Sequence, residues 1–527
     1  MDCLTPQDAT RFWLSRRACN DLFLLYCFDD TGCADERLRS AVIARSSRIP
    51  DLRLRIHEYR FAYPAWEPCD FDDSQFIVHS LGEPLWTNVE AALDALLGEG
   101  LPAERYVWRL HILRGIRDAP GGEGPAVVVV LQLSHALADG RRAAAIAREL
   151  LSGLGETGRG TVVDGPRSVR AGTDAARDEV IRPDGDRLEL RSSARDESVS
   201  NGELDRAALS THVARASGGG ANLGGVRIGD IRQVEWKRLC HNMLRTLTAE
   251  VPALLSLPLD LVRTVARGFA AARAESELAR LSDTGDIPGA ARDFAPSLVN
   301  LGPAPTHRAV RMIVGEDLRV PGYTVTVVAL TAISVALGDY LTGRGAPAAD
   351  LGAQVSVAGT PDDPEKSRKA HPRNNYRDIS VDFDIAEPDL RLRADRIART
   401  LVERRTRATH PLQSARGRVS EALPAPILRR DLANFPLDLV PDRISGHTVL
   451  SSVHRGRADL SIAGGAVRFT AGFPALGSVM HLTHGLHGLG SGVTVSIHTD
   501  PQVLPDVDEY ARLLRTALRE VADQLRD

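Results

Sequence analysis

Residues 126–140 read Ala126-Val127-Val128-Val129-Val130-Leu131-Gln132-Leu133 and then Ser134-His135-Ala136-Leu137-Ala138-Asp139-Gly140. The first eight are an apolar, β-branched run of strand length, the pattern of a central strand buried on both faces. Gly121-Gly122-Glu123-Gly124-Pro125 ahead of it is a turn, and a helical period resumes over Ala143–Leu151. Strand, short loop and helix in that order is the unit of an α/β sheet. It places the loop at the carboxyl end of the strand, where such folds hold reactive groups. The fold class is therefore read as α/β.

A histidine on that loop stands on a stiff scaffold. With a pKa near neutrality, an imidazole suits proton abstraction from a hydroxyl or an amine. Four residues later Asp139 lies in the turn, placed to bond backbone amides or to pair with an arginine. Gly140 permits a sharp strand-to-helix transition that a Cβ would obstruct. The plain alternative is a loop histidine beside a helix cap. His-x-x-x-Asp-Gly is weak as a bare pattern, and its place after a four-valine strand is what gives it weight. Ser134 reads as a satisfied loop hydroxyl, and Arg141-Arg142 as a solvated helix start rather than a phosphate-holding pair.

Working outward, 527 residues exceed one ordinary core and predict two α/β-sized lobes. Hydrophobic residues at 43% and charged residues at 25% exclude a wholly disordered chain. Basic and acidic residues number 65 and 69, so a nucleic-acid binder relying on phosphate contacts is disfavoured. Residues 1–155 form a first lobe carrying the histidine loop. Residues 156–232 are rich in Gly, Asp, Arg and Ser, include Ser217–Gly220, and read as a mostly disordered linker. Residues 233–527 read as a helical crossover and a second lobe. In it, strands are expected at Val310–Val314, Gln354–Val357, Ile379–Phe383, Ala466–Thr470 and Gly492–His498. Helices fit Val327–Tyr340, Pro388–Arg405 (with proline at the first position) and Val507–Arg526. The leucine-rich segment Val251–Phe269, read as a helix broken by Pro252 and Pro258, is expected to pack as interface core. Lying on a membrane surface is its alternative.

Rival chemistry is thin. The six cysteines contain no Cys-x-x-Cys and read as reduced thiols of a cytoplasmic protein, in preference to a Cys27–Cys33 pair. The N-terminus lacks a signal-peptide pattern, and no apolar run of bilayer length occurs. His481-x-x-His484-x-x-His487 invites a metal reading, but Gly485, Gly488, Gly490 and Gly492 argue for a loop and no carboxylate lies within the cluster. No metal site is assigned. No Gly-x-Ser-x-Gly elbow is present to supply a serine acyl-enzyme.

The loop resembles the His-His-x-x-x-Asp-Gly motif of the CoA-dependent acyltransferase superfamily, and specifically of the bacterial wax ester synthase/diacylglycerol acyltransferase family. Other landmarks follow in order. Leu4-Thr5-Pro6-Gln7-Asp8-Ala9 is similar to that family's Pro-x-Asp-Ala opening. Trp66, Phe71-Asp72 and Phe76-Ile77-Val78-His79 resemble its Trp…Phe-Asp…His-Val stretch, and Leu101-Pro102 with Trp108-Arg109-Leu110-His111 resembles the segment ahead of its catalytic strand. Leu298-Val299-Asn300 with His307-Arg308 resembles its Leu-Asn…Arg segment. Asn374-Asn375 falls at its Gly-Asn, and Gly492–Ile497 with Pro505-Asp506 at its closing strand and helix.

The resemblance implies two chloramphenicol-acetyltransferase-like lobes, each a mixed sheet with flanking helices, and an active-site tunnel at their interface. It implies an O-acyltransferase that moves an acyl group from acyl-CoA to a long-chain alcohol, a diacylglycerol or a hydroxylated secondary metabolite. His135 would be the general base of a direct transfer, and Asp139 a structural residue paired with an arginine. An oxyanion donor would come from the second lobe, with Asn300, Asn374, Asn375 and Ser452 as candidates. No cofactor would be bound permanently, and acyl-CoA would be the co-substrate. An acyl carrier protein as donor, and peripheral contact with a membrane or lipid droplet, are further partners it implies.

The sequence departs from the family at three motifs, and its segment before Thr324 is short. Ser134 replaces the first histidine, Thr324-Val325-Thr326-Val327 stands for Thr-Val-Asn-Asp, and Ser452-Val453-His454-Arg455 stands for Asn-Val-Pro-Gly. They keep two other readings open: a condensation-type enzyme with a carrier-bound donor, and a non-catalytic lipid-binding homologue.

Overall fold

The computed structural model describes residues 2–155, 228–359 and 373–527. The expected linker therefore lies outside the described residues, apart from 228–232, which are helical. The chain divides into two units. In the smaller, Gly158–Cys240, only the start of one helix is described; both sheets and the histidine loop belong to the larger.

The first half of that larger unit runs α1 (Pro6–Ser15), β1 (Leu22–Asp29), α2 (Asp35–Ser46), β2 (Leu54–His57), β3 (Ala65–Pro68), β4 (Phe76–His79), α3 (Trp86–Leu96), β5 (Trp108–Ile116), β6 (Ala126–Leu133) and α4 (Gly140–Leu151). The chain continues as α5 (Ile228–Asp283), β7 (Ala309–Val314), α6 (Val325–Thr342), β8 (Gly352–Ala358), β9 (Tyr376–Asp382), α7 (Leu390–Ala408), α8 (Ser414–Ser420) and α9 (Ala425–Asn434). It closes with β10 (Thr448–His454), β11 (Ser461–Ile462), β12 (Gly465–Gly472), β13 (Leu482–Leu489), β14 (Gly492–Thr499) and α10 (Val507–Arg526).

Two six-stranded mixed sheets organise these elements, in the orders β11-β12-β1-β6-β5-β4 and β7-β14-β13-β10-β8-β9. As expected, β6 is central and every one of its residues is buried. Its alternation sorts two cores. Val127, Val129, Leu131 and Leu133 pack with Phe12, Val42 and Ile146 of the covering helices. Val128 and Val130 pack on the other face with Leu93 of α3, Val310 of β7 and Ala471 of β12. In the second sheet Leu450, Leu482, Val495 and Ile497 pack against α6, α7 and α10.

The lobes do not separate at the sequence boundary. β11 and β12, from residues expected in the second lobe, pair into the first sheet: Tyr26 faces Thr470 and Leu24 faces Gly472. The chain then returns to the second sheet as β13. The sheets almost touch there, because a Cβ on Gly485 would come within 2.2 Å of the Gly472 carbonyl. The glycine pattern read as a loop over 481–492 is in fact β13, a turn and the start of β14: Gly485 serves the close approach between sheets, Gly488 the approach of His454 from the neighbouring β10, and Gly490 the turn.

Two other expectations change. α5 runs unbroken through Pro252 and Pro258, and Leu255, Val262 and Phe269 on it are exposed instead of packing as interface core. Pro388 precedes the helix, whose cap is Asp389, accepting from the Arg391 and Leu392 amides. Among the described residues one helix, α6, is apolar and long enough to cross a membrane; it is the mostly buried core helix of the second lobe. None of the five described cysteines forms a disulfide, Cys27 and Cys33 included.

Candidate active site

β6 ends at Leu133, and the loop is locked at once. The Ser134 amide donates to the Val107 carbonyl at 2.9 Å and its own carbonyl accepts from Leu137 at 2.9 Å. Asp139 caps α4, accepting from the Arg142 amide at 3.0 Å. These local bonds hold His135 on a rigid turn.

The other side of the loop is gripped by the second lobe. The Asp139 amide donates to the Arg373 carbonyl at 3.2 Å, and its second carboxylate oxygen accepts from the Asn375 amide at 3.1 Å. The Asn374 side chain donates to the His135 carbonyl at 2.7 Å and to Asp8 at 2.9 Å. Asp8 is buried and also accepts from the amides of Arg373 and Asn374, at 3.1 and 3.2 Å. Burial raises the Asp8 pKa, and those four donors (with Thr5) offset only part of the rise. Outside this knot Asp51 bridges Arg142 at 2.8 Å and Arg373 at 2.7 Å, and Arg373 lies over Trp66, 4.5 Å from the ring centre. Residues 373–376 thus strap onto the loop, with Asp8 as the buckle.

Asp139 accordingly holds backbone amides. The arginine pairing expected of it falls to Asp51 instead. Gly140 also has another reason than the one expected. It lacks the left-handed backbone of a strained turn, and a Cβ there would meet Val453 Cγ2 of β10 at 2.9 Å. It is glycine because the second lobe packs against it.

His135 is partly exposed, with Nδ1 buried and without a hydrogen-bond partner of good geometry. Its Nε2 lies 3.4 Å from the Tyr376 hydroxyl, and the two rings stack with centres 5.8 Å apart. The Arg11 guanidinium sits 5.3 Å from the Tyr376 ring centre. Desolvation first, and the Arg11 charge second, push the His135 pKa down to about 4, against opposing contributions from the His135 backbone, the Asn374 side chain and the Ala138 backbone. The imidazole is therefore neutral near pH 7, the state that accepts a proton. Burial also pushes Tyr376 up to about 12, so its hydroxyl keeps its proton.

The structure brings His135, Asp139, Gly140, Asn374 and Asn375 together. Ser134 is buried beneath them. Ser452 lies on β10 one residue from Val453, exposed, and accepts from Thr326 at 3.3 Å. Asn300 belongs to a different knot: its amide donates to the His447 and Val479 carbonyls at 3.1 and 2.8 Å, clamping second-lobe segments. Arg142 is spent on Asp51, while Arg141 is exposed.

His481, His484 and His487 do not share one site. His484 faces α10, bonded to Thr448 and Tyr510 at 2.9 Å each, strand alternation turns His487 to the opposite face of β13, and His481 precedes the strand. No metal-binding group of three ligands occurs among the described residues.

Sequence reading missed Tyr376 and Arg11, and gave Asp8 only as a landmark and as an alternative to Thr5 for the cap of α1, which Thr5 in fact provides. Nothing local marks a tyrosine 241 positions away as the neighbour of a histidine.

A cavity of about 120 Å³ adjoins the strap, lined by residues that include Thr5, Asp8, Trp66, Arg142 and Arg373. A groove of about 770 Å³ lies elsewhere, between α3, β7 and α10.

Comparison of the sequence with protein-family models and with curated proteins gives no match. Among solved structures, the wax ester synthase/diacylglycerol acyltransferase from Marinobacter aquaeolei VT8 superposes with a TM-score of 0.54 at 15% identity, covering 99% of both chains. A starter condensation domain of rhizomide synthetase, solved with C8-CoA and Leu-SNAC, gives 0.49 at 10% identity over 100% of this chain and 94% of that one. The epimerization domain from the third module of tyrocidine synthetase B gives 0.47 at 11%, over 99% and 96%. At these identities the likeness speaks for architecture: this chain has the two-lobed fold of a wax ester synthase/diacylglycerol acyltransferase.

Proposed function

We propose that this protein is an acyltransferase that moves an acyl group from a thioester, acyl-CoA, to a hydroxyl acceptor: a long-chain alcohol, a diacylglycerol or a hydroxylated secondary metabolite. The observation that carries the reading is the neutral, part-exposed His135 at the end of the buried β6, held by a strap from the other lobe. Nε2, the nitrogen that faces Tyr376, is assigned as the base.

The acceptor enters beside Nε2 and gives up its hydroxyl proton as its oxygen attacks the thioester carbonyl carbon. The C–S bond then breaks, and the thiolate leaves with the proton now on Nε2. A base held near 4 is weak while the site is empty. Negative charge growing on the attacking oxygen raises it during the step, which suits a base that must return its proton at once. Of the oxyanion donors expected in the second lobe, Asn300 and Asn374 have spent their N–H groups on backbone carbonyls and Asp8. Tyr376, protonated and 3.4 Å from the base, takes that role in this reading.

The test is release of free thiol and formation of ester from a panel of acyl-CoAs, with and without alcohols and diacylglycerol, for the parent protein and His135→Ala. Acceptor-dependent turnover lost in His135→Ala is expected. Equal rates in the two proteins would remove His135 from the chemistry. Turnover only with an acylated carrier protein would make this a condensation-type enzyme, and bound acyl chain without turnover a lipid-binding one.

A further inference from the structure

α1 brings a cation to His135 and gives it no counter-charge. Thr5 caps the helix, and Phe12 and Trp13 are buried beneath it. Arg11 between them is half-buried, with its guanidinium over the Tyr376 ring, 5.3 Å from the centre. The His135 ring stacks with the same tyrosine at 5.8 Å between centres, and its Nε2 lies 3.4 Å from the hydroxyl. Imidazole, phenol and guanidinium thus form one cluster drawn from the β6–α4 loop, β9 and α1.

The other arginines around this cluster are neutralised. Arg142 and Arg373 share Asp51, at 2.8 and 2.7 Å. Arg16, at the end of α1, pairs with Glu58 at 2.7 Å and Glu104 at 2.5 Å. Arg11 forms no ion pair among the described residues, and the acids around it are committed elsewhere. Asp8 accepts from the Arg373 and Asn374 amides, and Asp139 from the Arg142 and Asn375 amides. Asp378, whose charge reaches Tyr376, accepts from the Ser356 hydroxyl at 2.6 Å.

An unpaired positive charge works against a neighbour that must take up a proton. Arg11 lowers the basicity of His135, second only to desolvation, and repels the imidazolium that the proposed transfer forms. In that transfer the uncharged Tyr376 hydroxyl already serves the transient oxyanion, so the permanent charge of Arg11 calls for a permanent partner. An anion carried by the substrate cancels the effect on the base. A carboxylate fits the guanidinium fork, because its two oxygens accept two parallel, charge-assisted hydrogen bonds.

We infer that Arg11 receives a carboxylate on the acceptor, so that among hydroxylated acceptors this site takes a hydroxy acid. The inference rests on the acyl-transfer reading and narrows it. Arg11 and His135 meet at one tyrosine, which sets the hydroxyl one or two carbons from the carboxyl carbon. The step balances as before: the ester C–O bond forms at the hydroxyl oxygen, the C–S bond breaks, and the proton passes through His135 to the thiolate. The carboxylate stays ionised on Arg11 throughout.

Full-length protein with octanoyl-CoA as donor, offered 2- and 3-hydroxyoctanoate against their methyl esters, tests this. The parent should favour the better acid over its ester by about 10–100-fold in kcat/KM. Arg11→Gln should abolish that preference, the loss falling on the acid, and Arg11→Lys should restore part of it. A parent that uses acid and ester equally overturns the inference. So does an equal fall on both in Arg11→Gln, because Arg11 then serves the oxyanion. A preference that Arg11 governs only for succinyl-CoA over butyryl-CoA, with a neutral alcohol as acceptor, overturns it too, since the anion then belongs to the acyl group. Calorimetry on His135→Ala reads binding apart from chemistry: hydroxyoctanoate should bind, and at least about tenfold more weakly once Arg11→Gln is added. Arg11-dependent binding without turnover in the parent refutes the transfer reading and leaves the carboxylate site standing, whereas absence of that binding refutes the site.

Discussion

His135 and His484 are two imidazoles at two different places. His135 stands on the loop between β6 and α4 and His484 within β13, yet desolvation lowers both, to about 4 and about 3. What separates them is their bonding. His484 spends both nitrogens on Thr448 and Tyr510, and is sealed beneath α10. His135 keeps one nitrogen towards a tyrosine at 3.4 Å and leaves part of its ring open. A depressed pKa alone thus does not tell the two apart; a nitrogen left available on a part-open ring does, and it is this that fits His135 to the proposed role of base. The difference is made by the strap 373–376, which holds the backbone of the His135 loop and leaves its side chain free.

The sharpest break of that comparison is mutational. His135→Ala should lower ester formation by about 10²–10⁴-fold with little change in melting temperature. His484→Asn should do the reverse, costing stability while leaving the rate per folded molecule nearly unchanged. Steady-state rates paired with thermal melts check both, and a rate collapse in His484→Asn would erase the distinction.

The buckle comes next. Asp8→Ala strands the Arg373 and Asn374 amides and the Asn374 side chain, and should cost on the order of 3 kcal/mol in urea unfolding. It should also lower turnover by loosening His135. Asn300→Ala, at a comparable knot away from the base, should cost stability alone.

A smaller effect tests the lobe contact. Gly140→Ala should cost about 1–3 kcal/mol, and Val453→Ala should recover most of it in the double variant. No recovery would mean that Gly140 is there for its backbone and not for the approach of β10.

The last contrast is in pH. Neutral buried histidines stabilise the fold fully above their ordinary value of 6.5 and lose that contribution as pH falls towards about 4, because the unfolded chain then binds protons the fold refuses. His484 and His498 carry this penalty in the second lobe, and His487 is lowered well below the ordinary value. In the first lobe His111 and His135 carry it too, but burial pushes Asp21 and Glu90 up to about 7 and Asp94 to about 6. Those carboxyls act with the opposite sign: folded, they hold protons the unfolded chain has released, so their contribution grows as pH falls. Acidification from pH 7 to 5 should therefore loosen the second sheet first. Hydrogen exchange should speed up in β13 and β14 before β1 and β6.

Much of the scaffold was legible along the chain. The valine run announced β6 to the residue, and the period of Val507–Arg526 announced α10, because a doubly buried strand and an amphipathic helix each write their burial into local order. The loop was legible as a histidine-bearing strand-to-helix turn because His135, Asp139 and Gly140 all stand between that strand and the helical period after it. β13 was missed because its glycines suggest a loop in isolation, whereas Gly485 lets two sheets meet and Gly488 lets His454 of β10 come close.

By itself, then, the order of residues determined the central strand, the histidine at its end, the cap at Asp139 and the helix behind it. Each of these depends on neighbours within a few positions. Only the tertiary structure decided that β11 and β12 join the first sheet, that Arg373–Tyr376 straps onto the loop, and that α5 turns its apolar side outward. Those outcomes depend on pairings across hundreds of residues, where the energy lies in which surfaces meet and no local period records it.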